Sequence, residues 1–223
     1  MNKVDENILL QLSNVWRYFG RVTALRGIDL SIRQGQRWVF FGGNGAGKTT
    51  LLRTMAGLLR PSRGEVFYEG DILSQSRESF HRRLGFLSHD SMLYDGMTVQ
   101  ENLRFRRALY SLPDEEKAVR SILEEHRLDH LSGEQVRNLS RGYRQRVALA
   151  CTLVHNPGMV ILDEPLSGLD SSAKNFFNEH LSRNSSMTLI LASHDQQWAQ
   201  QLCPNAAVLE QGAVSILRQE AGP

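Results

Sequence analysis

The sequence lacks the features of secreted, membrane-spanning and zinc-stabilised proteins. It has only two cysteines, Cys151 and Cys203, and they form no metal-binding or redox motif, which favours the reducing cytosol. No apolar stretch reaches the ~20 residues that a membrane-spanning helix requires. Residues 1–6 are polar and acidic, so they do not predict a signal peptide. We therefore expect a cytoplasmic chain, and any membrane span must come from another polypeptide.

The sequence also has almost no excess of charge of one sign. Its formal net charge is +2, which is too small to indicate binding to nucleic acid or to an anionic membrane. The basic clusters at residues 81–83 and 104–107 therefore predict solvated or partner-facing helix surfaces. Repeats, low-complexity segments and long heptad runs are absent, so the 223 residues predict one globular domain.

A glycine-rich stretch stands between a predicted strand at 38–41 and a predicted helix at 51–58. This context and its spacing are those of a P-loop, in which glycines let backbone N–H groups point at an anion. In this interpretation Lys48 reaches the β- and γ-phosphates of a nucleotide, and the Thr49 hydroxyl binds Mg²⁺. The predicted nucleotide-binding residues are Gly42, Gly43, Asn44, Gly45, Ala46, Gly47, Lys48, Thr49 and Thr50.

Two other interpretations of this stretch are open. The glycines could form an ordinary tight turn between a strand and a helix. A dinucleotide-binding turn is less consistent with the sequence, because Lys48 stands where a third glycine would be required.

Two consecutive carboxylates follow the apolar run at 159–162. At the C-terminal end of a parallel strand beside a P-loop, Asp163 is expected to hold Mg²⁺ through water, and Glu164 to polarise an attacking water. The alternative is an acidic strand end that only turns into solvent.

The pattern of the chain predicts an α/β fold, because buried apolar strands alternate with helices. We expect a core at about 1–75 and 156–223 and a mostly helical subdomain at about 76–155. Residues 14–20 are predicted as a turn-rich piece, Thr98 as the cap of a helix to about residue 109, and Asp114 as the cap of the next. The predicted strands cover residues 8–13, 23–33, 38–41, 65–68, 159–162, 188–192 and a hairpin at 206–217.

Together these motifs resemble those of the ATP-binding cassette (ABC) ATPases, the nucleotide-binding subunits of ABC transporters. The stretch Leu139–Arg146 is similar to the signature segment of that family. The resemblance covers nearly all of residues 8–217 and implies a P-loop NTPase core with a mostly parallel sheet, an antiparallel β subdomain and a helical subdomain.

The resemblance also implies roles for single residues outside the P-loop. Ser140, Arg141, Gly142 and Tyr143 would act in trans on the nucleotide of a second subunit. Asp170 would lie in a loop at the dimer interface, and His194 would contact the γ-phosphate as a switch. Each has a plainer alternative, because Ser140 and Asp170 are also good helix caps and a histidine at a strand end is often structural.

Other positions match or depart from the family pattern. Phe19 aligns with the aromatic residue that stacks on adenine, and Tyr18 could substitute for it. His89 stands where the family usually has a glutamine that links the nucleotide site to the membrane partner. Imidazole is a poor Mg²⁺ ligand, so a coupling role is favoured over a metal role. Arg141 and Tyr143 replace a signature glycine and glutamine, and Gly43 replaces a common proline.

The function implied by the resemblance is ATP hydrolysis that drives a transporter. Two subunits, as a homodimer or a heterodimer with a related ATPase, would enclose two ATP molecules with Mg²⁺ and work with integral membrane subunits at the cytoplasmic face. A coupling helix of such a subunit would dock near Met92, Leu93 and Tyr94. His89 also suggests the haem exporter ATPase of cytochrome c maturation. The alternative is a soluble cassette ATPase that energises an assembly machine, such as iron–sulfur cluster assembly.

Overall fold

The computed structural model describes residues 7–219, which form two sheets and two groups of helices. Residues 1–6, on which the prediction of no signal peptide depends, lie outside the described part of the chain. The strands are β1 (Ile8–Phe19), β2 (Val22–Arg33), β3 (Arg37–Phe41), β4 (Arg63–Tyr68), β5 (Asp71–Ile72), β6 (Leu84–Leu87), β7 (Met159–Asp163), β8 (Thr188–Ala192), β9 (Asn205–Glu210) and β10 (Ala213–Arg218).

The helices of the described residues are mostly short. Two single 3₁₀ turns, at Asp129–Leu131 and Val136–Asn138, connect the last two helices of the middle third. The α-helices are α1 (Lys48–Met55), α2 (Arg77–Arg83), α3 (Val99–Leu109), α4 (Glu116–Glu125), α5 (Arg141–Leu153), α6 (Ser171–Ser182) and α7 (Gln196–Leu202). Within the part of the chain described here, none is both long and apolar enough to cross a membrane.

The larger sheet has the strand order β10-β9-β3-β8-β7-β6. Its strands run parallel except for β10, which pairs antiparallel with β9 and closes the predicted hairpin. Every residue of β7 and β8 is buried, as their continuous apolar sequences predict for strands covered on both faces. The carboxyl ends of these strands lie along one edge of the sheet, where ligands bind in open α/β folds.

The smaller sheet is antiparallel, in the order β2-β1-β4-β5, and it corrects one prediction. Residues 14–20 were predicted as a turn-rich piece, but β1 continues through them to Phe19. Asn14 takes a φ of 45° and shifts the register by a bulge, and pairing resumes at Val15 opposite Ile28. The bulge is held because the Asn14 amide donates to Asp29 Oδ1 at 2.8 Å, while Asn14 Oδ1 accepts from Trp16 Nε1.

The P-loop strand joins two apolar cores, because its side chains alternate between the faces of the sheet. Trp38 and Phe40 pack with α1 and the smaller sheet. Val39 and Phe41 pack on the opposite face against α5, α6 and α7. All four are at most 5% exposed, so β3 and the loop that follows it start from a rigid base.

The middle third confirms one helix cap and corrects another. Thr98 and Glu101 form the predicted capping box at the start of α3. Asp114 does not cap α4, whose cap position is Glu115, and Asp114 instead lies 3.7 Å from Arg104. The sequence analysis also missed β6, which pairs in parallel with β7 inside the segment predicted as helical. The fold class is confirmed, and the subdomain boundaries at 76 and 155 stay a prediction.

Two buried histidines connect this helical segment to the core. His126, after α4, stacks on His180 of α6 with ring centroids 4.6 Å apart. Both nitrogens of His180 already face carbonyl oxygens, those of Phe176 at 2.8 Å and Glu125 at 3.0 Å. The Glu125 carboxylate lies 3.2 Å from Arg183. Glu125, His126 and His180 are residue types that bind metal ions, but their contacts here are structural and join α4 to α6.

We expect acid to destabilise the fold through its buried histidines. Burial, with the nearby His180 and Arg183, lowers the pKa of His126 from 6.5 to about 3, and burial lowers the pKa of His155 to about 4. Below pH 6.5 these histidines become protonated in the unfolded chain while they stay neutral in the folded chain. Each histidine should therefore lower the free energy of unfolding by roughly 1 kcal/mol per pH unit. Urea unfolding between pH 7 and 5 measures this slope.

The matched variants for this prediction are His126→Phe and His130→Gln. The first keeps the ring packing but should reduce the slope, whereas the second changes an exposed histidine and should leave it unaltered. A flat profile in the wild-type chain, or equal slopes in both variants, would contradict the prediction.

Candidate functional site

The predicted P-loop, residues 42–49, connects β3 to α1 and is wedged between two other backbones. A side chain at Gly47, whose φ is 105°, would lie 2.5 Å from the carbonyl oxygen of Ala24. One at Gly42 would overlap the carbonyl oxygen of Leu209. The Gly212 amide donates to the Ala46 carbonyl at 3.2 Å, so the β9–β10 turn supports the loop directly. The glycines are therefore required by close approach as well as by φ.

The loop forms the floor of a cavity of about 550 Å³. The N-terminus of α1 points its free N–H groups and the positive end of its dipole at this space, which suits an anion. Besides the residues at 43–50, the cavity is lined by Phe19, Val22, Thr23, Ala24, Arg26, His89, Asp163, Glu164, Ser167, His194, Gln211 and Gly212.

Lys48 is the first residue of α1 and is only 7% exposed. Its Nζ donates to the carbonyl oxygens of Gly42 at 2.7 Å and Gly43 at 3.2 Å. It also lies 3.5 Å from Glu164 Oε1. A cation held in this way over a ring of backbone amides can bind the phosphate groups of a nucleotide.

The Glu164 side chain lies between Lys48 and His194, which follows β8. Its φ of 51° turns the chain sharply after β7. Its Oε1 lies 3.0 Å from Nε2 of His194, whose own backbone amide donates to Oε2 at 3.3 Å. The carboxylate thus accepts one hydrogen bond at Oε2, while Oε1 lies within ion-pair distance of Lys48 and of the His194 ring. This arrangement can orient and deprotonate a water molecule in the cavity.

Asp163 ends β7 and is 1% exposed. Neither of its carboxylate oxygens has a hydrogen-bond partner among the described residues, although a buried carboxylate needs one. The hydroxyl-bearing Thr49 lines the same cavity. Carboxylate and hydroxyl oxygens with room for water are the donor set that Mg²⁺ prefers, so these two residues fit the ion.

Of the two candidate aromatic residues, only Phe19 lines the cavity. Its ring is 46% exposed and has the guanidinium carbon of Arg17 4.6 Å from its centroid. Tyr18 points elsewhere and stacks on Trp16 at 6.1 Å. The structure therefore offers the face of Phe19, and not that of Tyr18, to a planar base.

The signature segment lies away from this cavity. Among the described lining residues, none comes from 139–146, and Asp170 is not one of them either. Ser140 caps α5, with its hydroxyl 3.5 Å from the Tyr143 amide, and Asp170 caps α6. The Ala173 amide, with Ser172 and Arg146, lowers the pKa of Asp170. A single chain thus does not bring Ser140, Arg141, Gly142 and Tyr143 to its own P-loop.

His89 is exposed and lines both this cavity and a second one of about 360 Å³. The second cavity lies between residues 89–95 and the start of α5, where Arg144 pairs with Asp95 at 2.6 Å. His89 therefore stands between the phosphate-binding end of the site and the surface that carries Met92.

Sequence reasoning missed one wall of the site. Gln211 and Gly212 were predicted only as a hairpin turn, yet they line the cavity about 160 positions after the P-loop. Ala24 and Arg26 complete this wall from β2, and the Arg26 amide donates to Gly212 at 2.8 Å. No local pattern marks these residues, because their position follows from the pairing of β9 with β3.

Comparisons with known proteins agree with this geometry. The family described as "ABC transporter" matches residues 25–167. The chain is 34% identical to the trehalose/maltose import ATP-binding protein MalK of Thermococcus litoralis, over 96% of this chain and 59% of that relative. It is 35% identical to the ABC transporter ATP-binding protein NatA of Bacillus subtilis, over 86% of this chain and 80% of NatA. It thus spans about three fifths of the first relative's length.

A solved structure with the same fold is cbiO1 from Clostridium perfringens, described as part of the ABC transporter complex cbiONQ. It superposes with a TM-score of 0.80 at 30% identity, covering 94% of this chain and 88% of that one. Fold, P-loop and relatives point the same way: the chain belongs to the ABC transporter family.

Proposed function

We propose that this chain is the ATP-hydrolysing subunit of an ABC transporter and acts as a dimer on the cytoplasmic face of a membrane. The observation that carries the proposal is the convergence of Lys48, Asp163, Glu164 and His194 on one cavity floored by the P-loop. Lysine, carboxylates and histidine come there from three neighbouring strands of one sheet.

The proposed reaction is attack of water on the γ-phosphate of ATP. Glu164 accepts a proton as the water oxygen bonds to the γ-phosphorus, and the bond to the β,γ-bridging oxygen breaks to leave ADP and phosphate. Lys48 and the P-loop amides stabilise the charge on the phosphate oxygens. His194, held 3.0 Å from Glu164, fixes that carboxylate and contacts the γ-phosphate.

Mg²⁺ is the proposed cofactor, and Thr49 and Asp163, which line the same cavity, would hold it. When bound, it would neutralise phosphate charge. The unpartnered oxygens of buried Asp163 support this assignment, because a carboxylate at 1% exposure needs a counter-charge.

Two chains are needed for a complete site under this proposal. Each contributes one P-loop and one signature segment, and the signature segment lies outside the cavity of its own chain. Ser140 and Gly142 would therefore meet the γ-phosphate held by the other chain, with Asp170 at the interface. A homodimer is the simplest arrangement, and a heterodimer with a related ATPase satisfies the same geometry.

The proposed docking site for the integral membrane subunits is the surface around Met92 and Tyr94, which are 54% and 51% exposed. Leu93, predicted with them, instead packs against two of the cores, so we leave it out of the surface. The transported substrate is chosen by the membrane subunits. Haem export is the substrate hypothesis suggested by His89. Of the relatives named above, MalK is a trehalose/maltose import protein, and the name of NatA specifies no substrate.

Glu164→Gln is expected to lower the ATP hydrolysis rate by at least ~100-fold, because it removes the base while keeping the shape of the side chain. ATP binding should persist, since Lys48 and the P-loop are unchanged, and ATP should drive this variant into a stable dimer. A phosphate-release assay and light scattering measure the two effects. Exposed Glu65→Gln is the control and should behave as wild type. Equal activity of both variants would contradict the role of Glu164.

Phe19→Ala is expected to raise the dissociation constant for ATP by roughly 3- to 10-fold, the loss of one aromatic stacking contact. Phe19→Tyr should retain affinity, because either ring offers a flat face. Titration with a fluorescent ATP analogue measures the change. Tyr18→Ala is the matched control, since Tyr18 does not line the cavity. A larger loss in Tyr18→Ala than in Phe19→Ala would overturn the assignment.

Met92→Glu and Tyr94→Ala are expected to weaken binding of the membrane subunit at least ~10-fold while leaving ATP binding unchanged, because apolar anchors dominate such interfaces. Co-purification from detergent measures the first effect. Leu109→Glu, at an equally exposed apolar residue on α3, is the control and should bind the subunit normally. Undiminished recovery of the membrane subunit with both variants would move the docking site elsewhere.

A further inference from the structure

Arg141, which replaces a glycine of the family pattern, contacts the loop that precedes α6. A Cβ built on Gly168 would lie 2.8 Å from Nη1, 3.3 Å from Cζ and 3.5 Å from Nη2 of Arg141. Three atoms of the guanidinium group therefore occupy the space where a side chain at position 168 would project. Gly168 also has a φ of 72°, so its backbone angle favours glycine, and a side chain there would displace the Arg141 guanidinium group.

A second arginine of α5 reaches the same neighbourhood. The guanidinium carbon of Arg146 lies 4.5 Å from the ring centroid of Phe176 in α6. Its charge also contributes to the lowered pKa of Asp170, after the larger effect of the Ala173 amide. The first two turns of α5 are thus connected to residues 168–176 by two cationic side chains.

These contacts join two segments of the proposed dimer: the signature segment, assigned to the partner chain's nucleotide, and the loop of Asp170, assigned to the dimer interface. Ser140 lies immediately before Arg141, and Asp170 lies two residues after Gly168. α5 packs in both the helical core and the sheet core, where Ala148 and Leu149 share a cluster with residues of α6. Ser140 lies about two turns before these residues, so other contacts are needed to position the start of α5 relative to Asp170.

Resting on the proposed function, we propose that Arg141 is a positioning residue that clasps the signature segment to the loop at 167–170. The signature segment and the interface loop then meet the partner chain with a fixed spacing. A planar guanidinium can lie flat on the Gly168 backbone, whereas a lysine ammonium has no such face. Because Arg141 does not line its own nucleotide cavity, it should act on turnover and not on ATP affinity.

The test is a double-mutant cycle with Arg141→Gly and Gly168→Ala, and Arg141→Lys as the conservative variant. Three quantities are measured for each variant: the urea midpoint of the nucleotide-free chain of 223 residues, kcat, and KM for ATP. Arg141→Gly should lower kcat several-fold with KM nearly unchanged, and Arg141→Lys should not restore it. Gly168→Ala should cost less in the Arg141→Gly background, with a coupling of at least ~3-fold in kcat.

The possible outcomes distinguish a failure of the role of Arg141 from a failure of the proposed function. Additive effects on kcat in an active enzyme overturn the clasp and leave the proposed function intact. If Arg141→Gly and Gly168→Ala are coupled in the urea midpoint but leave kcat unchanged, the contact is structural only. That result also overturns the positioning role. A wild-type chain without ATP hydrolysis overturns the proposed function itself, and the role of Arg141 falls with it. Rescue by Arg141→Lys would show that charge, not the planar group, matters and would contradict the proposal.

Discussion

The site depends on the close contact of three backbones around the P-loop. Strand β2 contacts it at Ala24, the β9–β10 turn contacts it at Gly212, and the loop itself has glycine at 42 and 47 where those chains approach. A Cβ at Gly212 would lie 2.8 Å from the Ala24 carbonyl, so the approach is tight on all sides. This contact joins the small antiparallel sheet to the end of the large sheet. The amides of the loop are therefore held in place before any ligand arrives.

The charged side chains beside the P-loop have little conformational freedom. Lys48 is almost fully buried, and Glu164 and the carbonyls of Gly42 and Gly43 surround its ammonium group. Burying a cation in this way is tolerable only with such partners. Phosphate oxygens are the ligands that can take over those contacts, which explains why one lysine serves both the fold and the proposed reaction. Asp163, whose oxygens have no hydrogen-bond donor among the described residues, is where the proposal places Mg²⁺.

The sequence predicts those parts of the molecule whose signals are local. The P-loop, the apolar runs of β7 and β8, and the caps at Thr98, Ser140 and Asp170 follow from residue type and spacing. Strand β6 was not predicted because its four residues directly follow a helix and are too few to show a hydrophobic periodicity. The end of β1 was mistaken for a turn because Asn14 favours turns, whereas the pairing with β2 continues through a bulge. The wall at Gln211 depends on strand pairing across the whole chain, which no local pattern contains.

If this cassette drives a membrane transporter, as we propose, a pull-down from solubilised membranes should recover its membrane partner. The tagged chain would be recovered from detergent-solubilised cells with ATP and without ATP, beside a Lys48→Ala chain that should bind nucleotide poorly. We expect a polytopic membrane protein to be recovered in stoichiometric amount with the ATP-bound chain. Recovery of soluble assembly factors alone, from the cytosolic fraction, would contradict it and favour an ATPase that energises an assembly machine.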